Sequence, residues 1–146
     1  MATVRDVANY FLLQTDEEAG DIISNLKLQK LVYYAQGFHL ALKGAPLFNE
    51  PLQAWNHGPV SPALYHVFKE YGAGALPIPA DCNAGALTPE ETELLDEVYA
   101  VYGQFSAWKL RDLTHDEAPW KNSFREGINA PISHQAMQEF FRTQLS

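Results

Sequence analysis

The stretch NLKLQKLVYYAQGFHLALKG, residues 25–44, decides the fold of this chain. Apolar residues recur in it at the spacing that places side chains on one face of a helix: Leu28, Leu31, Val32, Ala35 and Leu42. Aromatic residues extend the apolar surface around most of the helix, and a helix of this kind is normally buried between other elements. Ser24 or Asn25 can cap its start, and Gly44 can end it. We therefore predict the buried central helix of a small domain.

The composition is that of an ordinary globular protein. The 146 residues predict one domain, 1–146, and 47% hydrophobic against 19% charged residues argues against disorder. No apolar run is long enough to span a bilayer, and the N-terminus lacks the pattern of a signal peptide. The single cysteine, Cys82, fits a reducing compartment. We expect a cytoplasmic protein that neither enters a membrane nor depends on disulfides.

The charge balance opposes nucleic-acid binding. Ten Lys and Arg residues stand against 18 Asp and Glu residues, for a formal net charge of −8. Because attraction to a phosphate backbone depends on clustered cations, we expect no nucleic-acid partner. A basic protein, or a partner without charge, is more suitable for such a chain.

Cap residues and apolar spacing predict further helices on both sides of the central one. Predicted helix starts are Thr3, Ser61, Thr88, Ser106 and Ser133, with a short helical turn around Trp120. In the helix that begins at Ser61, the apolar face is predicted to consist of Leu64, Val67, Phe68 and Tyr71. Residues 14–21 and 73–87 have the composition of loops.

The only predicted strand is Leu52–Asn56, and residues 129–132 are predicted to be an extended link. The predicted fold class is therefore mainly α, or α+β at most. It is a single-domain bundle of about seven helices around the central helix, with one small β element.

Five histidines raise the question of catalysis or metal binding. His39 is predicted to be a core or interface residue, and His57 and His66 lack the ligand spacing of zinc sites. His115, with the acids that follow it, forms a candidate acid–base cluster, but such residues at helix ends also serve as caps. The chain has no Gly-rich phosphate loop and no nucleophile elbow. We expect no enzyme activity, no cofactor and no metal; a small metal-dependent enzyme around His57 or His115 remains an alternative.

Two segments are typical of contact surfaces: AWNHGPVSP, residues 54–62, and LTHDEAPW, residues 113–120. Both place Trp and His in turns that proline makes rigid. The rings of Trp55 and Trp120 are predicted to be buried, with their indole N–H groups bonded to carbonyls in these turns. The candidate partner-binding residues are Trp55, His57, Pro59, His66, His115, Asp116 and Glu117.

At these same residues the chain resembles the Panacea-domain family, the SocA-like antitoxins, whose members are often labelled phage-associated proteins. The matching text is LKLQKLVYYAQGFHLALKGAPLFNEPLQAWNHGPV, then Tyr65 and Phe68, then SAWKLRDLTHDEAPW. The resemblance runs from about Val4 to Phe141, and the three motifs in this order are specific.

The resemblance implies a mainly helical domain encoded beside a toxin gene, which neutralises the toxin by binding it. The implied partner is the cognate toxin, with a protease or chaperone as a further candidate partner. The family has no catalytic residues to carry over. A phage or prophage accessory interaction protein is the alternative from another class, and the oligomeric state stays open.

Overall fold

The computed structural model describes residues 1–15, 22–79 and 86–145. Within them the helices are α1 (Val4–Leu13), α2 (Asn25–Lys43), α3 (Pro62–Phe68), α4 (Pro89–Tyr102), α5 (Ala107–His115), α6 (Ala118–Lys121) and α7 (His134–Arg142). A 3₁₀ turn, Lys69–Tyr71, extends α3. The strands are β1 (Leu52–Trp55), β2 (Gly58–Val60) and β3 (Ala130–Ile132). The predicted class, mainly α with one small β element, is confirmed.

Helix α2 lies at the centre of the fold, and α1, α4, α5 and α7 all pack against it. Its middle section is buried on every side, including both rings of Tyr33 and Tyr34. At its start the Ser24 hydroxyl accepts a backbone N–H, and at its end Gly44 has a φ of 71°. The prediction from the all-round apolar pattern is confirmed.

Side-chain caps hold the predicted helix starts in place. The hydroxyls of five cap residues each accept the N–H of the third helical residue: Thr3, Ser61, Thr88, Ser106 and Ser133. Each such bond satisfies a backbone donor that the helix itself leaves unpaired, and is worth about 1 kcal/mol. The helix boundaries therefore follow from local sequence.

The sheet is antiparallel, with the strand order β2-β1-β3. Gln53 pairs with Val60 on one side and with Pro131 on the other. Strand β1 agrees with the prediction, whereas β3 replaces the extended link expected at residues 129–132. A three-residue strand that contains proline has almost no signal of its own, because its partner lies far away in the sequence.

Buried polar side chains of α2 bind the backbone of the segment that follows the helix. Gln36 accepts the N–H of Leu47 at 2.7 Å and donates to the carbonyl of Phe48 at 2.8 Å. His39, which is buried, donates from Nδ1 to the carbonyl of Ala45 at 2.7 Å. This segment has no helix or strand to pair its backbone, so α2 supplies the partners. The prediction for His39 is confirmed.

Three apolar residues predicted to face the core are exposed instead. Leu42 is 52% exposed, because the last turn of α2 borders an open groove shared with Thr88. In the short helix α3, Leu64 and Phe68 fill the narrow inward face at i, i+4 spacing. Val67 lies beside that face, and the tighter 3₁₀ turn moves Tyr71 away from it.

Parts of two predicted loops, residues 16–21 and 80–85, lie outside the described residues, as does Cys82. In the described remainder of the second loop, Leu76 and Leu87 are buried. No helix in the described part of the chain has the length and apolar character needed to cross a membrane.

Candidate partner-binding site

The hairpin of β1 and β2 lies directly on α2 and α5, and Gly58 is the point of contact. Gly58 has a φ of 109°, and a Cβ atom on it would lie 2.6 Å from Lys30 Cε and 2.7 Å from Thr114 Oγ1. Only glycine combines this φ with so close an approach. The Gly-Pro pair of AWNHGPVSP thus sets how near the hairpin comes to the helices.

Lys30 is the buried anchor of this hairpin. Its side chain has no exposed surface, and its Nζ donates to the carbonyl of Pro59 at 3.0 Å. Burial, with a smaller contribution from the nearby Arg111, lowers the pKa of Lys30 from 10.5 to about 7. An amine so deeply buried serves the packing of the hairpin and is not available to a partner.

The second predicted segment packs on the first. Trp120 is buried, and its Nε1 donates to the carbonyl of Trp55 at 2.7 Å. The His115 ring stacks on Trp120 with 3.9 Å between ring centroids. Two segments more than 50 residues apart in sequence therefore form a single surface.

Glu117 ties the corner between α5 and α6 to the central helix. Its two carboxylate oxygens accept the hydroxyls of Tyr33 at 3.0 Å and Tyr34 at 2.9 Å. Burial raises the pKa of Glu117 to about 7, although these two hydrogen bonds act to lower it. Since both oxygens already have a partner, the observed role of this carboxylate is structural.

The pKa of His115 is also shifted from its usual value. Burial, followed by the charge of Arg111, lowers its pKa from the usual value. Its Nε2 is buried and has no hydrogen-bond partner among the described residues. A neutral imidazole stacked on Trp120 fits this environment better than a charged one.

The exposed part of the site is a cluster that we name the Trp108 patch: Trp108, Arg111 and His57. Trp108 is 55% exposed, and the Arg111 guanidinium lies over its ring, 4.5 Å from the centroid. Arg111 also donates from Nε to His57 Nδ1 at 3.0 Å and forms an ion pair with Asp112. These contacts order all three side chains on the surface before any partner binds.

The predicted site residues fall into three groups. Exposed to solvent are His57, His66 and Asp116; half-buried are Trp55, His115 and Glu117; buried is Pro59. The prediction of a buried Trp55 ring is wrong, because this residue is half-buried. Its Nε1 donates to the side-chain oxygen of Gln53 at 2.9 Å, where a backbone carbonyl was predicted. Burial of the Trp120 ring is confirmed.

Sequence reasoning missed Trp108 and Arg111. Local sequence could not decide which side of α5 faces the core, because Trp108, Leu110 and Leu113 are all apolar. In the structure Leu110 is fully buried, and Trp108 and Arg111, three positions apart, lie together on another side of the helix.

Within the described ranges no three His, Cys, Asp or Glu side chains are grouped closely enough to hold a metal ion. A helical domain that uses its buried polar groups to hold its own backbone, and that orders Trp and Arg on its surface, is typical of a protein-binding module.

Comparison with known proteins identifies the family. The model of the family described as "Antitoxin SocA-like, Panacea domain" matches residues 28–121. "Antitoxin SocA" of Caulobacter vibrioides (strain NA1000 / CB15N) is 37% identical over 157 residues, covering 96% of this chain and 82% of the relative. No solved structure matches the chain. The chain belongs to the SocA-like, Panacea-domain antitoxin family.

Proposed function

We propose that this protein is an antitoxin that neutralises a cognate toxin by direct binding in the cytoplasm, and that it is not an enzyme. The family supports the antitoxin role. The observation that carries the binding mode is the Trp108 patch, a large exposed ring held in place by an arginine. Trp and Arg are among the residues that most often dominate binding energy at interfaces.

The proposed interface extends from the Trp108 patch to neighbouring exposed residues. His57 belongs to the patch, His66 lies on α3 beyond the hairpin, and Asp116 caps the end of α5. Trp55, Pro59, His115 and Glu117 support this surface from beneath. Because the scaffold is rigid, little conformational entropy is lost when a partner binds.

The test uses the toxin encoded beside the gene, co-expressed with tagged antitoxin, with cell survival and toxin co-purification as readouts. Trp108→Ala should reduce the toxin recovered by about tenfold or more, because loss of a dominant interface residue costs about 2 kcal/mol. Val101→Ala is the matched control, since Val101 is a similarly exposed apolar side chain on α4, 52% exposed. The thermal midpoint should stay the same in both variants.

A second variant, His57→Ala combined with His66→Ala, tests the hairpin side of the interface. Toxin recovery should fall while the protein stays folded. Full recovery by both this variant and Trp108→Ala would exclude the Trp108 patch and α3, and would leave only the acidic corner at residues 114–117 as the interface. Failure of the wild-type protein to protect cells from the toxin would overturn the antitoxin proposal itself.

A further inference from the structure

A second feature of this side of the molecule is a groove of about 560 Å³ beside the hairpin, which we name the hairpin groove. The Trp55 and Tyr65 rings pack edge to face, with 4.9 Å between the centroids, and both residues line the groove together with Leu26 and Val60. Ile128, which is 61% exposed, also lines it. Its surface is therefore largely aromatic and aliphatic, and it is open to solvent.

The charges of this groove are opposite in sign to that of the whole protein. Among the described residues the lining contains two cations, Lys69 and Arg125, and no Asp or Glu, whereas the chain has a net charge of −8. The groove next to α4 shows the contrast, because Glu90, Glu93 and Glu97 line it.

Both cations of the hairpin groove have unused hydrogen-bonding capacity. Arg125 donates from Nη1 to the carbonyls of Asn122 and Phe124, which fixes the guanidinium in place. No ion pair or hydrogen bond joins its other nitrogens, or the Lys69 ammonium, to another described residue. A fixed guanidinium without a carboxylate partner is suited to bind one from another molecule.

We propose that the hairpin groove binds a short extended segment of the toxin in which an Asp or Glu is flanked by aliphatic or aromatic residues. The carboxylate would pair with Lys69 and Arg125, and the flanking side chains would cover the Trp55 and Tyr65 rings. The amides of Asn56 and Asn129, which also line the groove, can bond the backbone of such a segment. Two cations are too few for a nucleic-acid backbone.

This inference rests on the proposed antitoxin function only for the identity of the partner, so its test uses the isolated protein. The probe is a phage-displayed library of random linear peptides selected on the wild-type chain. The same library is selected on the charge-reversed variant Lys69→Glu/Arg125→Glu. The matched control is Lys121→Glu/Arg142→Glu, which reverses two exposed cations that do not line the groove.

Wild-type protein and control should enrich peptides with an acidic residue beside apolar ones, and the charge-reversed variant should enrich basic residues at that position. By fluorescence anisotropy, a selected acidic peptide should bind the charge-reversed variant about tenfold or more weakly than the control. Circular dichroism checks that the variants are folded.

Enrichment without acidic preference, or equal binding by the charge-reversed variant, would overturn the inference. So would a wild-type dimer that dissociates in that variant, because the groove would then belong to a second copy of the chain. If the library fails while the wild-type protein still protects cells, the antitoxin proposal stands and this one falls. If acidic peptides are selected but the wild-type protein fails to protect cells, the peptide-binding groove stands and the antitoxin proposal falls.

Discussion

At the scale of single residues, the unusual groups are two ionisable side chains at contacts between α2 and its neighbours: Lys30 of α2, which is fully buried, and Glu117, which is half-buried. Lys30 lies beneath the hairpin and Glu117 lies at the corner between α5 and α6, each bonded to a neighbouring element. Burial moves their pKa values in opposite directions, and both reach about 7. Each group therefore couples folding to pH, over a different range.

The expected stability profile follows from counting protons. Between pH 7 and 10.5 the unfolded chain carries a proton on Lys30 that the folded chain lacks, so this group makes stability rise with pH. Between pH 4.5 and 7 the folded chain carries a proton on Glu117 that the unfolded chain lacks, so this group makes stability fall as pH rises. Together the two groups contribute a minimum near pH 7.

Lys30→Met should remove the rise above pH 7, and Glu117→Gln should remove the fall below it. Each slope is at most about 1.4 kcal/mol per pH unit. Urea unfolding at about pH 5, 7 and 9 measures the difference from wild type. The exposed Lys121→Met is the control and should leave the profile unchanged. Parallel curves for wild type and Lys30→Met above pH 7 would contradict the assignment.

At the scale of elements, the packing of α7 on α2 depends on one glycine. The Phe141 ring is fully buried and contacts Tyr33, Tyr34 and Phe38. A Cβ atom on Gly37 would overlap this ring. Gly37 therefore allows the two helices to approach, at some cost to the intrinsic stability of α2.

Gly37→Ala separates helix propensity from packing, because the two predict changes of opposite sign in the free energy of unfolding. Helix propensity alone favours Ala by about 0.5–1 kcal/mol, whereas the overlap with Phe141 should destabilise the protein by about 1–3 kcal/mol. Chemical denaturation measures the change. Phe141→Leu in the same chain should recover part of the loss, with a coupling energy above about 0.5 kcal/mol. A more stable Gly37→Ala variant would show that α7 does not pack as described.

At the scale of the whole molecule, tertiary contacts hold residues 54–62 and 113–120 together. Acidic and cationic side chains line two different grooves. The bond from Trp120 to the Trp55 carbonyl joins the hairpin to α6, and Lys30 joins the hairpin to α2. The acidic groove beside α4 and the cationic hairpin groove share no lining residue. The proposed interface thus depends on tertiary contacts.

Replacing Trp120 with Phe should show how much the hydrogen bond between α6 and the hairpin contributes to the stability of the protein. The ring can still stack, but the partly buried Trp55 carbonyl loses its donor, which should lower the free energy of unfolding by about 1 kcal/mol. Trp108→Phe is the matched control, because the indole of the exposed Trp108 has no hydrogen bond to another described residue and the change should stay within about 0.5 kcal/mol. Equal stability of the two variants in urea would contradict a structural role for the Trp120 bond.

The sequence by itself determined the helices and the family. Caps such as Ser61 and Thr88, and the apolar spacing of residues 25–44, act within a few residues, so their outcome can be read locally. The three family motifs are likewise visible in the chain as written, and they agree with the matching family.

Only the tertiary structure decided which polar and aromatic residues reach the surface. Lys30 is buried because Gly58 allows the hairpin to cover it, and Trp108 is exposed because Leu110 takes the inward face of α5. Strand β3 exists only through its pairing with β1. These outcomes depend on contacts between residues far apart in sequence, whose free energies arise when the elements pack together, and no local pattern contains them.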